Sequence, residues 1–236
     1  MSGVLHSIWA HINGFEYWPE IAQGTLDTLE MTGLALLFTV LLGLPAGVIL
    51  FLCSETHQSA RPRVRRAQIW TYRLLSFIVN LLRSIPFLIL LILLIPATRW
   101  IVGTSLGVTG AIPPLVLATA PFFARLVENL LREVPSGVFE VCRAMGATTR
   151  QTVFWVVLPE TYSALLAAIS VTGIALIGYS AMSGVIGGGG LGDLAVRYGY
   201  QRFDTEVMLV TVAILVLIVQ IVQWSGDRLI ARLAHR

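Results

Sequence analysis

Long apolar stretches alternate with short polar ones along this chain, and the apolar stretches have the length of a bilayer crossing. Residues 31–53, 101–124, 161–192 and 207–226 carry no charged side chain, and each reaches the roughly 20 residues that a helix needs to span the hydrocarbon core. A fifth stretch, residues 74–98, is interrupted only by Arg83. The pattern predicts an all-α polytopic membrane protein with five transmembrane helices in a single domain, 1–236. The start lacks a basic region followed by a small-residue cleavage site, so the first span is expected to remain as an anchor.

Composition agrees: 56% of the residues are hydrophobic and 12% charged, against about a quarter charged in soluble domains. All 16 basic residues are arginine. Without a lysine the chain has neither the phosphate-binding lysine of a Walker A loop nor a Schiff-base amine. His6, His11, His57 and His235 are scattered, with no carboxylate at ligand spacing. Cys53 and Cys142 are too few for a structural zinc site and read as buried small hydrophobes. No cofactor or metal is expected.

The arginines also orient the spans, because basic residues in short loops stay in the cytoplasm. Arg61, Arg63, Arg65 and Arg66 follow the first span, Arg132, Arg143 and Arg150 the third, and Arg228, Arg232 and Arg236 the fifth. The other side carries Arg99, Arg197 and Arg202. This predicts the N-terminus outside and the C-terminus in the cytoplasm. The pI of about 9.2 then reflects orientation and attraction to lipid headgroups, with no nucleic-acid partner needed. Trp9, Tyr17, Trp18 and Trp100 stand where interfacial aromatics belong, and Pro45, Pro86, Pro96 and Pro121 suggest kinks.

Gly187, Gly189 and Gly192 match G-x-G-x-x-G, but no strand precedes them, so a tight turn or a re-entrant loop on the outer face replaces the dinucleotide reading. Arg83, Arg125 and Glu128 are the ionisable groups nearest membrane depth; Arg125, Glu128 and Arg132 have the spacing for mutual pairing on one helix.

Residues 133–160, between spans three and four, are patterned as two short helices. Ser136 after Pro135 starts the first and Gly146 ends it; Thr148 with Gln151 forms a capping box for the second, which Leu158 and Pro159 end. Phe139, Ala144 and Met145 offer apolar contact and Glu140 and Arg143 a polar rim. Such a loop either docks in a groove on a partner or lies along the headgroups.

Glu140, Gly146 and the pair Leu158–Pro159 resemble the coupling-helix signature of ABC importer permeases, which runs Glu-Ala-Ala, Gly, Leu-Pro. From about Thr25 to Arg228 the resemblance narrows to the methionine-uptake permeases, on LRSIPFLILLILLIPATRWIVGTSLG from Leu82, APFFARLVENLL from Ala120, RAMGAT from Arg143, GYSAMSG from Gly178, GGLGDLAVRYGY from Gly189 and WSGDR from Trp224. Val141 and Cys142 depart from the small pair after the glutamate, and the first twenty or so residues look like an extension. The resemblance implies an inner-membrane homodimeric pore for methionine. Its residues 133–160, with Glu140, Arg143, Ala144, Met145, Gly146, Ala147, Leu158 and Pro159, would seat on two separate ATP-binding subunits, and an external binding protein would deliver substrate. ATP hydrolysis would belong to the partner.

Span four carries Gly173, Gly178, Ser180 and Gly184, a small-residue face suited to a dimer axis. The matching family stretch puts Met182 at the gate, with Tyr179 and Ser180 beside it. The alternatives are a permease for another amino acid or small solute, and a secondary transporter. A membrane enzyme is disfavoured, since no metal cluster, nucleophile with base or carboxylate pair assembles from these residues.

Overall fold

A computed structural model describes residues 16–54 and 62–234; the four histidines, Trp9, Arg61 and Arg236 lie outside them. Within the described residues every regular element is helical: α1 (Trp18–Cys53), α2 (Pro62–Ser84), α3 (Phe87–Leu93), α4 (Ile95–Val102), α5 (Gly107–Arg132), α6 (Ser136–Ala144), α7 (Thr149–Thr152), α8 (Leu158–Glu160), α9 (Tyr162–Ser183), α10 (Gly190–Leu194) and α11 (Thr205–Ala234). Helices α1, α5, α9 and α11 are each long and apolar enough to cross a membrane.

The predicted span 74–98 is not one straight helix. Helices α2 and α3 meet at 104° and make a fifth crossing only as a bent pair. Pro86 has no N–H to continue the ladder and pushes the residue before it out of helical conformation, so the chain turns between Ser84 and Phe87. The third span starts at Gly107 rather than residue 101, because Gly103, at φ 81°, ends α4. The first span starts at Trp18 rather than 31. In its polar opening turns Thr25 and Thr28 satisfy their hydroxyls within the helix, donating to the carbonyls four residues back.

Helices α1 and α5 form the most extensive pairing, and α9 packs on both and on α11. The α1–α5 seam is made by a stripe of small residues at intervals of four: Ala35, Thr39, Gly43 and Gly47, all buried. A Cβ on Gly47 would stand 2.6 Å from the Ala124 carbonyl oxygen and from the Val127 Cβ, so only glycine admits this approach. Inside the seam the Thr39 and Thr119 hydroxyls share a 2.6 Å hydrogen bond. The largest core cluster joins Phe51 of α1 with Phe123, Val127 and Leu131 of α5 and with Val153 and Val157. It fastens the root of the 133–160 loop to the membrane helices.

Candidate functional site

The 133–160 loop is built by local signals. Helix α6 starts after Pro135, whose carbonyl accepts from the Val138 amide. It closes with the Gly146 amide donating to the Arg143 carbonyl and the Ala147 amide to the Cys142 carbonyl, a Schellman-type end. Gly146 supplies the left-handed residue this requires, at φ 77°, while the space around its Cα is open. The predicted capping box is present: the Thr148 amide donates to Gln151 Oε1 at 2.8 Å and the Gln151 amide to Thr148 Oγ1 at 3.4 Å.

Leu158 and Pro159 do not end the second helix. A π-helical turn over Val153–Val157 precedes them, and the chain stays helical through α8. The wider turn accommodates a proline that donates no hydrogen bond. Thr161 then breaks the run before α9, its amide and hydroxyl both donating to the Val157 carbonyl.

The loop has two faces. Val138, Phe139 and Leu158 pack against the core cluster, and the Phe139 ring lies 6.1 Å from that of Phe51. Phe139 is therefore an anchor within the chain rather than part of the outward contact. Cys142 is buried. Outward stand Glu140, Val141, Arg143, Ala144 and Met145, with Met145 80% exposed; Ala147 is half-buried and Pro159 exposed. The two departures from the family pattern thus face opposite ways, Val141 out and Cys142 in. Trp155, also 80% exposed, and Phe154 extend the bare apolar surface, a feature that the sequence reading passed over.

At the root of the loop, Arg132, Ser136, Glu140 and Arg143 border a cavity of about 420 Å³ floored by Phe51 and Phe139. Arg132 continues into the membrane domain. Glu128, 1% exposed, accepts from Arg132 and from Arg125, each at 2.5 Å. Arg132 also reaches the Tyr72 hydroxyl at 3.1 Å, and Arg125 reaches Ser76 at 2.7 Å and Asn80 at 3.0 Å. The pairing expected from spacing is formed, and it ties α5 to α2. Arg83 instead stands over the Phe122 ring, 5.9 Å from its centre.

On α9 the predicted gate residues separate. Met182 is 41% exposed and continues a bare line with Val171, Gly178 and Val185. Tyr179 stacks on Phe87 of α3, centres 4.6 Å apart and planes at 17°. Ser180 is buried and donates to the Ile177 carbonyl at 2.8 Å. Of the small-residue face, Gly178 has nothing within 4 Å of a built Cβ, whereas Gly184 lies against the backbone of Gly192 and Asp193.

The glycine run is a turn. The Gly107 amide donates to the Gly187 carbonyl, the Gly188 amide to the Ser183 carbonyl, and the Leu191 amide to Thr28 Oγ1 at 2.9 Å. Gly187, Gly189 and Gly190 have φ of 77–81°.

Residues 58–235 match the family described as binding-protein-dependent transport system inner membrane component. A probable D-methionine transport system permease protein, MetI of Pasteurella multocida, is 47% identical over 93% of this chain and 98% of its own length. A methionine import system permease protein, MetP of Bacillus subtilis, is 50% identical over 65% of this chain and 69% of its own. Among solved structures, a chain of the MetNI methionine ABC transporter in inward-facing conformations superposes with a TM-score of 0.87 at 43% identity, covering 93% of this chain and 99% of that one. The helical order, the anchored loop and these matches agree, and the chain belongs to the family of binding-protein-dependent transport system inner membrane components.

Proposed function

We propose that this chain is the pore-forming subunit of an ATP-driven importer of methionine, working as a homodimer in the inner membrane. The observation that carries the reading is the near end-to-end match to methionine permeases, 47% identical over 93% of the chain. In this reading the outward face of α6, with Val141, Ala144 and Met145 ringed by Glu140 and Arg143, seats in a cleft of one of two ATP-binding subunits. The N-terminus lies outside, where a binding protein delivers substrate. ATP is hydrolysed on the partner, and this chain converts its motion into movement of helices.

The geometry supports that transfer. Gly146 and the capping box hold α6 and α7 in a fixed angle, and Phe139, Val153 and Val157 weld both to α1 and α5. Displacement of the loop is thereby passed to the bundle as a rigid-body shift, the type of element that nucleotide can bias between two states. Met182, on the bare line of α9, closes the path against its copy. A flexible thioether suits an apolar constriction that has to open. Tyr179 and Ser180 hold that segment in place, one on Phe87 and one within its own helix.

Uptake of labelled methionine into proteoliposomes tests the function. Uptake should require this chain, an ATP-binding subunit with ATP, and binding protein on the opposite side. Accumulation driven by an ion gradient alone would replace this reading with a secondary transporter.

A further inference from the structure

Away from the loop and gate, a cleft of about 460 Å³ opens between α1, α9 and α11. Its walls are apolar: Leu36 of α1, Ile169 of α9, and Val222 and Leu229 of α11. Its mouth is basic, with Arg228 and Arg232 one helical turn apart and both exposed. Among the described residues neither arginine forms an ion pair with a carboxylate. The nearby Asp227 accepts from Gln223 at 2.9 Å, and the Arg228 guanidinium lies 3.5 Å from the centre of the Trp224 ring. Two cations that pair with no carboxylate among the described residues, one of them over an aromatic plane, at the end of a membrane helix and above an apolar groove, match one ligand shape: an anionic head on an acyl chain.

We propose that this cleft binds an anionic phospholipid, its phosphate between Arg228 and Arg232 and an acyl chain along Leu36, Ile169 and Val222. Guanidinium groups recognise phosphate through paired donors, and basic pockets between membrane helices are where anionic lipid heads lodge. The cleft's floor is fixed by close packing of Gly226 on Ser170, where a Cβ would stand 2.2 Å from the hydroxyl. It opens on a different face of α9 from the line of Val171, Gly178 and Met182, so lipid here and a second protomer there do not compete. Bound lipid would brace α11, whose hydrophobic window is the least buried of the four long helices, against α9.

The test uses the full chain in the assembly it forms, in nanodiscs of phosphatidylglycerol and phosphatidylcholine, with retained lipid counted by native mass spectrometry. The wild type should retain phosphatidylglycerol preferentially. Replacing both arginines, Arg228→Gln with Arg232→Gln, should reduce that preference by roughly 30-fold, the product of two surface arginines. Arg228→Lys with Arg232→Lys should fall between the wild type and the double glutamine variant, because the charge stays while the paired donors are lost, and Arg66→Gln should leave it unchanged. Melting of the wild type in the two pure lipids gives a reading that needs no substitution: it should be higher in phosphatidylglycerol. Equal retention of both lipids, selectivity that survives the double glutamine variant, or an equal loss in Arg66→Gln would overturn the proposal. A second copy covering the cleft would show as absence of retained lipid and would overturn it too.

Discussion

Glu128 holds two guanidinium groups at once from a fully enclosed position, and through them α5 is pinned to Tyr72, Ser76 and Asn80 of α2. Removing one partner of a buried ion pair leaves an uncompensated charge. Glu128→Gln should therefore cost about 3 kcal/mol, the lower end of the usual range because Arg132 is itself partly solvated. Thermal unfolding in detergent checks this; an unchanged melting temperature would mean that the cluster does not hold α2. At Gly146 the constraint is conformational, since the site is open but φ is 77°. Gly146→Val should cost about 1–2 kcal/mol of backbone strain locally. It should lower ATP-coupled uptake far more than it lowers the melting temperature, because only the loop's exit angle changes. Uptake at the wild-type rate would remove the rigid-loop account.

Between helices, the α1–α5 seam depends on small residues, and the contrast between two glycines of α1 isolates that dependence. Gly47→Val places atoms against Ala124 and Val127 and should destabilise by about 2 kcal/mol, as overpacking does; Gly33→Val, with open space around it, should leave stability within about 0.5 kcal/mol. Equal melting temperatures would contradict the seam. The stripe Ala35, Thr39, Gly43 and Gly47 has a regular four-residue spacing in the sequence, whereas the glycines of span four cluster without sharing one face. In the structure Gly184 serves a turn, and Gly178 alone of that set presents open space. Apolar length exposed four of the five spans and local chemistry the loop, since the cap of Thr148 and the φ of Gly146 depend only on neighbours in sequence. The bend at Pro86 and the π-turn before Pro159 were harder to read, because a proline marks a disturbance without fixing whether the helix stops, turns or widens. The face taken by Phe139 was also hidden, as it is decided by Phe51, far away in sequence. For the bare line on α9, cysteine at Met182 should cross-link two protomers in a background lacking Cys53 and Cys142. Failure in every nucleotide state would take Met182 off the dimer axis.

Across the whole molecule, the proposed function assigns the loop to contact with ATP-binding subunits, the α1–α5 seam to motion as a body and α9 to the closing point of the path. Sidedness is part of it. A membrane-impermeant thiol reagent added outside should label cysteine placed at Gly189 and not at Gly146 in intact cells; the reverse would invert the topology. The central claim is that ATP on a partner drives methionine through a pore made by this chain, and reconstituted transport tests it most directly. With ATP-binding subunits, internal ATP and external binding protein present, labelled methionine should accumulate, with competition by unlabelled methionine and loss of uptake when any one component is left out. Accumulation without ATP, or ATP-driven uptake that excess methionine leaves untouched, would contradict the account.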